Sequence, residues 1–279
     1  MESIPSTFRS RETDPTRRHR AGGWGARIGS CAVGVLALSG VLPSAAQTAK
    51  FDFDTAAPVL TTGRNLPFTQ TAGGISVRFS NVTGAFSVQT DRSTGFVTSF
   101  SGKYLYPNSL LGNVVRMQFS QELTDIALTF ATTDQSPAAV TPLTLNAYLA
   151  TDSATNLVGS SVASAVYARA RFPMGTNSYS PSSKTFNYVE LRFPATAKVT
   201  YFIDDVVVTA VPALAIQRGT NSVVLSWPVP STGFVLQENV SVNPAAWVTV
   251  KHTPENEDGR YQVTVAPATG TGFYRLVRP

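Results

Sequence analysis

From residue 51 onward the apolar positions recur in short runs with a period of two. In Val189-Glu190-Leu191-Arg192-Phe193 the apolar side chains fall on one side and Glu190 and Arg192 on the other. Ile126-Ala127-Leu128-Thr129-Phe130 puts Ile126, Leu128 and Phe130 on one face. The pattern predicts strands at Ile75–Ser80, Phe86–Thr90, Val114–Ser120, Asp125–Ala131, Leu143–Ala150, Ser160–Ala170, Thr185–Phe193 and Lys198–Thr209. Turn clusters separate them, among them Thr71-Ala72-Gly73-Gly74, Asn81-Val82-Thr83-Gly84, Pro107-Asn108, Gly175-Thr176-Asn177 and Pro194-Ala195. No stretch carries the apolar stripe of a helix. Many short strands at this spacing predict an all-β chain built as sandwiches.

A break at Ala210–Pro212 divides the pattern. After it come Leu214–Ile216, Asn221–Pro228, Gly233–Gln237, Trp247–Val250, Tyr261–Val265 and Phe273–Leu276, enough for a second, smaller sandwich. Trp227 and Trp247 are expected to fill its core, because lone aromatics on strands bury large areas.

Two resemblances follow. The segments Val224-Leu225-Ser226-Trp227-Pro228, Gly233-Phe234-Val235-Leu236-Gln237, Trp247-Val248-Thr249-Val250 and Phe273-Tyr274-Arg275-Leu276 resemble a small fibronectin type III-like unit found at the ends of exported bacterial proteins. Such a unit implies a spacer or appendage. The larger part opens with Phe51-Asp52-Phe53-Asp54 and closes with Val199-Thr200-Tyr201-Phe202-Ile203-Asp204-Asp205-Val206-Val207-Val208. These ends resemble a jelly-roll domain of carbohydrate-binding modules and of exported proteins with a sorting tail. The chain ends at Arg278-Pro279 without a hydrophobic tail and basic cluster, so release is expected over membrane sorting. The expected organisation is a signal peptide at 1–46, a jelly-roll β-sandwich at 47–210 and a fibronectin type III-like β-sandwich at 211–279.

The leader changes how the composition reads. An Arg-rich segment precedes the apolar run Ile28–Leu42, Pro43 breaks it, and Ser44-Ala45-Ala46 supplies small residues for cleavage after Ala46. The run is short and Gly/Ser-rich for a membrane span, although an uncleaved anchor is the competing reading. Arg17-Arg18 lacks the context of a twin-arginine signal. Cys31 stands near the start of this run, with most of the apolar residues after it, which argues against lipidation. The whole chain carries a formal charge of +5. Without the leader's six arginines and three acids, sixteen basic and fourteen acidic residues remain. So balanced a surface offers no basic field for nucleic acid or anionic lipid. Cys31, the single cysteine, leaves with the leader, so the exported part forms no disulfide.

The candidate chemistry is sparse. A jelly roll brings its first and last strands together, so Asp52, Asp54, Asp204 and Asp205 are candidate ligands for a structural calcium ion, a hard cation that takes oxygen donors. The alternative is solvated strand-end carboxylates. Tyr104 and Tyr106 share a face if their segment is extended, and with Tyr148, Tyr167, Tyr179 and Tyr188 they are candidate sugar-stacking platforms. Packing within the sheet is the competing explanation for each. His252 is the one histidine after the leader and sits in the C-terminal unit, which removes histidine-based triads and zinc sites from the larger one. Glu122, Asp125, Asp134, Asp152 and Glu190 supply carboxylates, without the dense pattern of a jelly-roll glycosidase. Glu122 and Asp125 read as part of a turn, and Glu190 as one member of an exposed salt-bridge ladder with Arg192 and Tyr188. Asn81-Val82-Thr83 and Asn239-Val240-Ser241 are glycosylation sequons by pattern. The expected function is a secreted, non-enzymatic protein that binds a polysaccharide or cell-surface glycan. The alternatives are an adhesive protein that binds other proteins and, less favoured, a glycan-active enzyme.

Overall fold

The computed structural model describes residues 47–279 except 58, 60–63, 82–85, 91–99, 101, 108–113, 135, 137–140, 152–153, 170, 195–198, 230, 232, 242–245 and 267–271. The expected leader, its expected cleavage point and Asp152 lie outside the described residues.

Among the described residues the chain is built of strands. In order they are β1 (Thr48–Phe51), β2 (Arg64–Asn65), β3 (Phe68–Ala72), β4 (Ile75–Asn81), β5 (Phe86–Thr90), β6 (Lys103–Pro107), β7 (Val114–Thr132), β8 (Pro142–Ala150), β9 (Thr155–Ser164) and β10 (Val166–Ala168). Then follow β11 (Arg171–Tyr179), β12 (Phe186–Arg192), β13 (Tyr201–Ala210), β14 (Ala215–Arg218), β15 (Val223–Pro228), β16 (Val235–Asn239), β17 (Val248–Thr249), β18 (Glu255–Glu257), β19 (Arg260–Val265) and β20 (Phe273–Val277).

The first thirteen strands form one hydrogen-bonded network that folds into two layers through β7. The N-terminal half of β7 pairs with β4 and β12, which continues the ladder β3-β4-β7-β12-β8-β9, here sheet I. Its C-terminal half pairs with β13 and β11, in a ladder that also holds β1, β6, β5 and β10, here sheet II. The two expected strands at Val114–Ser120 and Asp125–Ala131 are thus one 19-residue strand. The inward positions run Val115, Met117, Phe119 and then Ile126, Leu128, Phe130, with Leu123 and Thr124 both buried at the change of phase. That one-residue shift lets both halves aim apolar side chains into the same core as the strand changes layer. Glu122 and Asp125 lie at this crossing, not in a turn.

β13 uses the same device. Tyr201 and Ile203 point inward, the register slips between Asp204 and Val207, and Val206 and Val208 resume the inward face. Asp205 takes φ 51° at the slip. The first and last strands of this sandwich pair antiparallel, Thr48 opposite Thr209, as a jelly roll requires. β1 nevertheless ends at Phe51. Asp52 Oδ1 accepts the backbone N–H groups of Asp54 and Thr55 at 3.0 and 2.8 Å, and Phe53 turns to φ 61°. The expected strand through Asp54 is an Asx turn, so Asp52 and Asp54 do not share a strand face.

Gly175-Thr176-Asn177, expected as a turn, lies in the middle of β11, opposite Phe130, Thr129 and Leu128. A Cβ on Gly175 would stand 2.9 Å from the Phe130 ring and 3.1 Å from the Ser164 carbonyl oxygen, so glycine marks a close approach here. Gly73 and Gly74, with φ 53° and 75°, do form the expected turn, between β3 and β4.

The C-terminal strands form a four-stranded sheet, β14-β15-β19-β18, and a three-stranded sheet, β17-β16-β20. They enclose a separate core of Leu225, Trp227, Leu236, Val250, Val263 and Val265. Trp227 fills it as expected. Trp247 does not: it is half-buried, with the Arg275 guanidinium 4.3 Å above its ring, a cation–π contact at the surface.

Candidate functional site

Strand alternation decides what sheet I shows to solvent. Val115 and Met117 on β7, Val189 and Leu191 on β12, and Leu143, Leu145 and Ala147 on β8 all face the core. Their neighbours in sequence therefore face outward, and the register lines them up in rows. One row runs Thr69, Arg78, Gln118, Tyr188, Tyr148, Leu157. The next runs Ser80, Arg116, Glu190, Asn146, Ser160, and a third runs Val114, Arg192, Thr144, Val162.

Glu190 is the centre of this face. It is 5% exposed, so it is not the exposed ladder member expected from sequence. Arg116 Nε donates to its Oε1 at 3.0 Å and Arg192 Nη2 to its Oε2 at 2.5 Å. The Tyr188 hydroxyl donates to Oε1 at 3.1 Å, and the Tyr148 hydroxyl lies 3.5 Å from Oε2. Burial alone would push the Glu190 carboxyl upward. The hydrogen bonds and charges of Arg192 and Arg116, with the Tyr188 hydroxyl, outweigh it and hold the pKa below the ordinary glutamate value. Tyr188 moves the other way, raised by burial and then by the Glu190 charge, so its phenol stays protonated and remains a donor.

The two tyrosine rings stand beside each other, centroids 5.6 Å apart and tilted by 55°. Next to them Ser160 donates to Asn146 Oδ1 at 2.7 Å. The face thus combines aromatic surface, amide and hydroxyl groups, and guanidinium forks clamped in place by a buried carboxylate. Tyr148 and Tyr188 were among the sequence candidates, but Arg116 was not. Alternation in Val115-Arg116-Met117 shows that it points outward, yet its pairing with a strand 74 residues away is not readable from the chain.

Tyr104 and Tyr106 do share a face of β6, with Leu105 turned into the main core. Their expected joint exposure is not found. Tyr104 is 8% exposed and packs with Phe100, Tyr106 and Phe202 at centroid distances of 5.7, 6.4 and 5.5 Å. Phe172 stacks on Phe202 at 5.5 Å, and the group forms a small aromatic core on the outer side of sheet II, with Tyr106 half-buried at its margin. Tyr179 packs edge-on against Phe186, and Tyr167 on β10 is exposed.

The four acids proposed for calcium divide. Lys50 Nζ lies 2.7 Å from Asp205 Oδ1, and Asp52 and Asp204 add to the field that raises the Lys50 pKa, after the dominant hydrogen bond that Lys50 donates to Asp205. Asp204 is fully buried and accepts the Asp205 N–H at 2.8 Å. Asp54 turns elsewhere and accepts the Lys103 N–H at 2.9 Å. Among the described residues no three His, Cys, Asp or Glu side chains come together as a ligand set.

Glu122 and Asp125 are also occupied, Glu122 by the Thr185 hydroxyl and Asp125 by those of Thr124 and Ser180. Glu122 borders a cleft of about 440 Å³ lined mainly by apolar residues such as Leu149, Leu157, Val211, Phe234 and Leu276. No helix among the described residues is long and apolar enough to cross a membrane.

No protein-family model matches the chain, and no curated protein matches it in sequence. Solved structures with a similar arrangement include the K2 cleaved adhesin domain of Lys-gingipain, at 10% identity and TM-score 0.37 over 58% of this chain and 99% of that one. The K1 cleaved adhesin domain of Lys-gingipain from Porphyromonas gingivalis W83 aligns at 16% identity and TM-score 0.35, over 58% and 98%. The N-terminal CBM22-1-CBM22-2 tandem domain of Paenibacillus barcinonensis Xyn10C aligns at 10% identity and TM-score 0.33, over 85% and 91%.

Proposed function

We propose that this is a secreted, non-catalytic protein that binds a carbohydrate on the open face of sheet I. The observation that carries the reading is Glu190, buried and held between Arg116 and Arg192, with Tyr148 and Tyr188 side by side and their hydroxyls turned to its carboxylate. Tyrosine offers a flat apolar surface with a polar tip, and guanidinium, amide and hydroxyl groups match the hydroxyls of a sugar. The clamp pre-organises those groups and so lowers the cost of ordering them on binding. The leader at 1–46 supplies the export route.

The same geometry argues against catalysis. Glycoside hydrolysis needs two carboxyl groups across the scissile bond, one of them protonated. Glu190 is held ionised by two cations, and it is the one carboxylate among the described residues of these rows. A protein-binding role is favoured by a different feature: β9 is an uncharged edge strand with exposed Leu157 and Val162.

Affinity electrophoresis through gels of neutral and acidic soluble polysaccharides, with thermal melts in their presence, tests the reading. A glycan ligand retards the protein and raises its Tm by linkage. Tyr148→Ala and Tyr188→Ala are expected to lose about tenfold or more in affinity, on the order of 1.4 kcal/mol, in line with the loss of an aromatic contact. If no polysaccharide changes mobility or Tm, the carbohydrate reading is wrong.

A further inference from the structure

The charged residues of sheet I's outer face are not scattered. Arg78 on β4 lies opposite Gln118, and Arg116 is two residues further along β7. Arg116 lies opposite Glu190, and Arg192 is two residues further along β12. Each step moves one strand across and one row along in the same sense. The three arginines therefore form a straight diagonal over three adjacent strands, with about 7–8 Å between neighbours. Thr69, Gln118, Ser80, Asn146, Thr144 and Ser160, on the same rows, are uncharged.

The one acid on these rows is sequestered. Both Glu190 oxygens are taken up by the arginine and tyrosine donors, and its charge lowers the repulsion between Arg116 and Arg192. The arginines remain accessible: the side chains of Arg116 and Arg192 are 42% and 53% exposed, and Arg78 is exposed. A guanidinium carries five N–H donors in a planar fork, of which the Arg116 and Arg192 contacts to Glu190 use one each. A diagonal of forks with an excess of positive charge fits a linear chain that bears planar or tetrahedral anions at intervals.

We infer that the ligand of this face is an acidic polysaccharide, with carboxylate or sulfate groups aligned on Arg78, Arg116 and Arg192. The inference rests on the carbohydrate reading and narrows it. A nucleic acid is disfavoured because phosphate-backbone affinity grows with the number of phosphates neutralised, and this stripe offers three arginines.

The test titrates the exported protein with polygalacturonate, its fully methyl-esterified form, heparin, a neutral galactan and single-stranded DNA, each over a salt series. The expected result is binding to polygalacturonate or heparin that weakens steeply with salt and falls at least tenfold on esterification or in the neutral galactan. Whichever of the two binds tighter separates carboxylate from sulfate recognition. Arg78→Gln, which lies outside the Glu190 clamp, is expected to lose about threefold to tenfold for the acidic chain with an unchanged Tm. Equal binding of the esterified and free forms would overturn the acidic specificity and leave the carbohydrate reading standing. Binding to none of the glycans would overturn both. Tightest binding to DNA would overturn the inference in favour of a nucleic-acid face.

Discussion

Arg116 Nε donates a 3.0 Å hydrogen bond to Glu190 Oε1 across the β7–β12 ladder, although the two residues are 74 positions apart in the chain. The contact joins two strands of one sheet and fixes the posture of a guanidinium at the surface. On the proposed reading, structure and recognition are therefore coupled at Glu190.

Replacing Glu190 tests that coupling. Glu190→Gln leaves Arg116 and Arg192 adjacent with no opposing charge. Breaking a fully buried pair costs about 3–5 kcal/mol, but both guanidiniums are about half in water, so about 1–2 kcal/mol of stability is expected to be lost. Urea unfolding reads this as a lower midpoint with an unchanged slope. An unchanged midpoint would show that the clamp contributes nothing to the fold.

The same residue sets an acid limit. Glu190 and Asp52 both have folded pKa values below their ordinary ones: burial opposes this in each, the arginines outweigh it at Glu190, and the Thr55 hydrogen bonds outweigh it at Asp52. A depressed carboxyl pKa stabilises the fold above the unfolded value, about 4, and that contribution is lost as pH falls through the folded value. Tm is expected to be flat from pH 7 to about 5 and to decline below about 4. Glu190→Gln should show a shallower decline than the parent protein.

Gly175 is expected to tolerate no side chain. A Cβ there meets the Phe130 ring at 2.9 Å and the Ser164 carbonyl oxygen at 3.1 Å, both held by the sandwich. Gly175→Val should destabilise by about 1–3 kcal/mol through overpacking, measured by thermal or urea unfolding. Parent-like stability would mean that β11 can shift away from Phe130.

The calcium expectation meets Lys50. Its ammonium is already 2.7 Å from Asp205, within the field of Asp52 and Asp204. Equal Tm in calcium and in chelator is therefore expected. A rise of several degrees with calcium would show that the ion displaces the lysine and completes its shell with backbone oxygens.

Several elements were legible in the chain because they rest on local alternation. Phe86–Thr90 and the strand around Val189-Glu190-Leu191 follow the alternation of their own sequence, and Gly73-Gly74 forms the turn its composition predicts. The structure departs from the local pattern where long-range packing overrides it. Gly175-Thr176-Asn177 has the composition of a turn, but neighbours on β7 hold it extended, and the missing Cβ accommodates Phe130. Tyr104 and Tyr106 were correctly placed on one face, while the exposure of that face depended on Phe100, Phe172 and Phe202.

By itself the sequence determined the all-β character of the chain, the shared outward face of Tyr188, Glu190 and Arg192 on their strand, and the sparse stock of catalytic groups after residue 46. Alternation and composition are local properties, readable along a line. Tertiary structure decided which outward residues meet. The pairing of β4 with β7, β7 with β12 and β12 with β8 aligned the three arginines, buried Glu190 among them and brought Tyr148 beside Tyr188. Register is set by the whole hydrophobic core at once, because a slip of one residue would turn every one of these side chains to the opposite face.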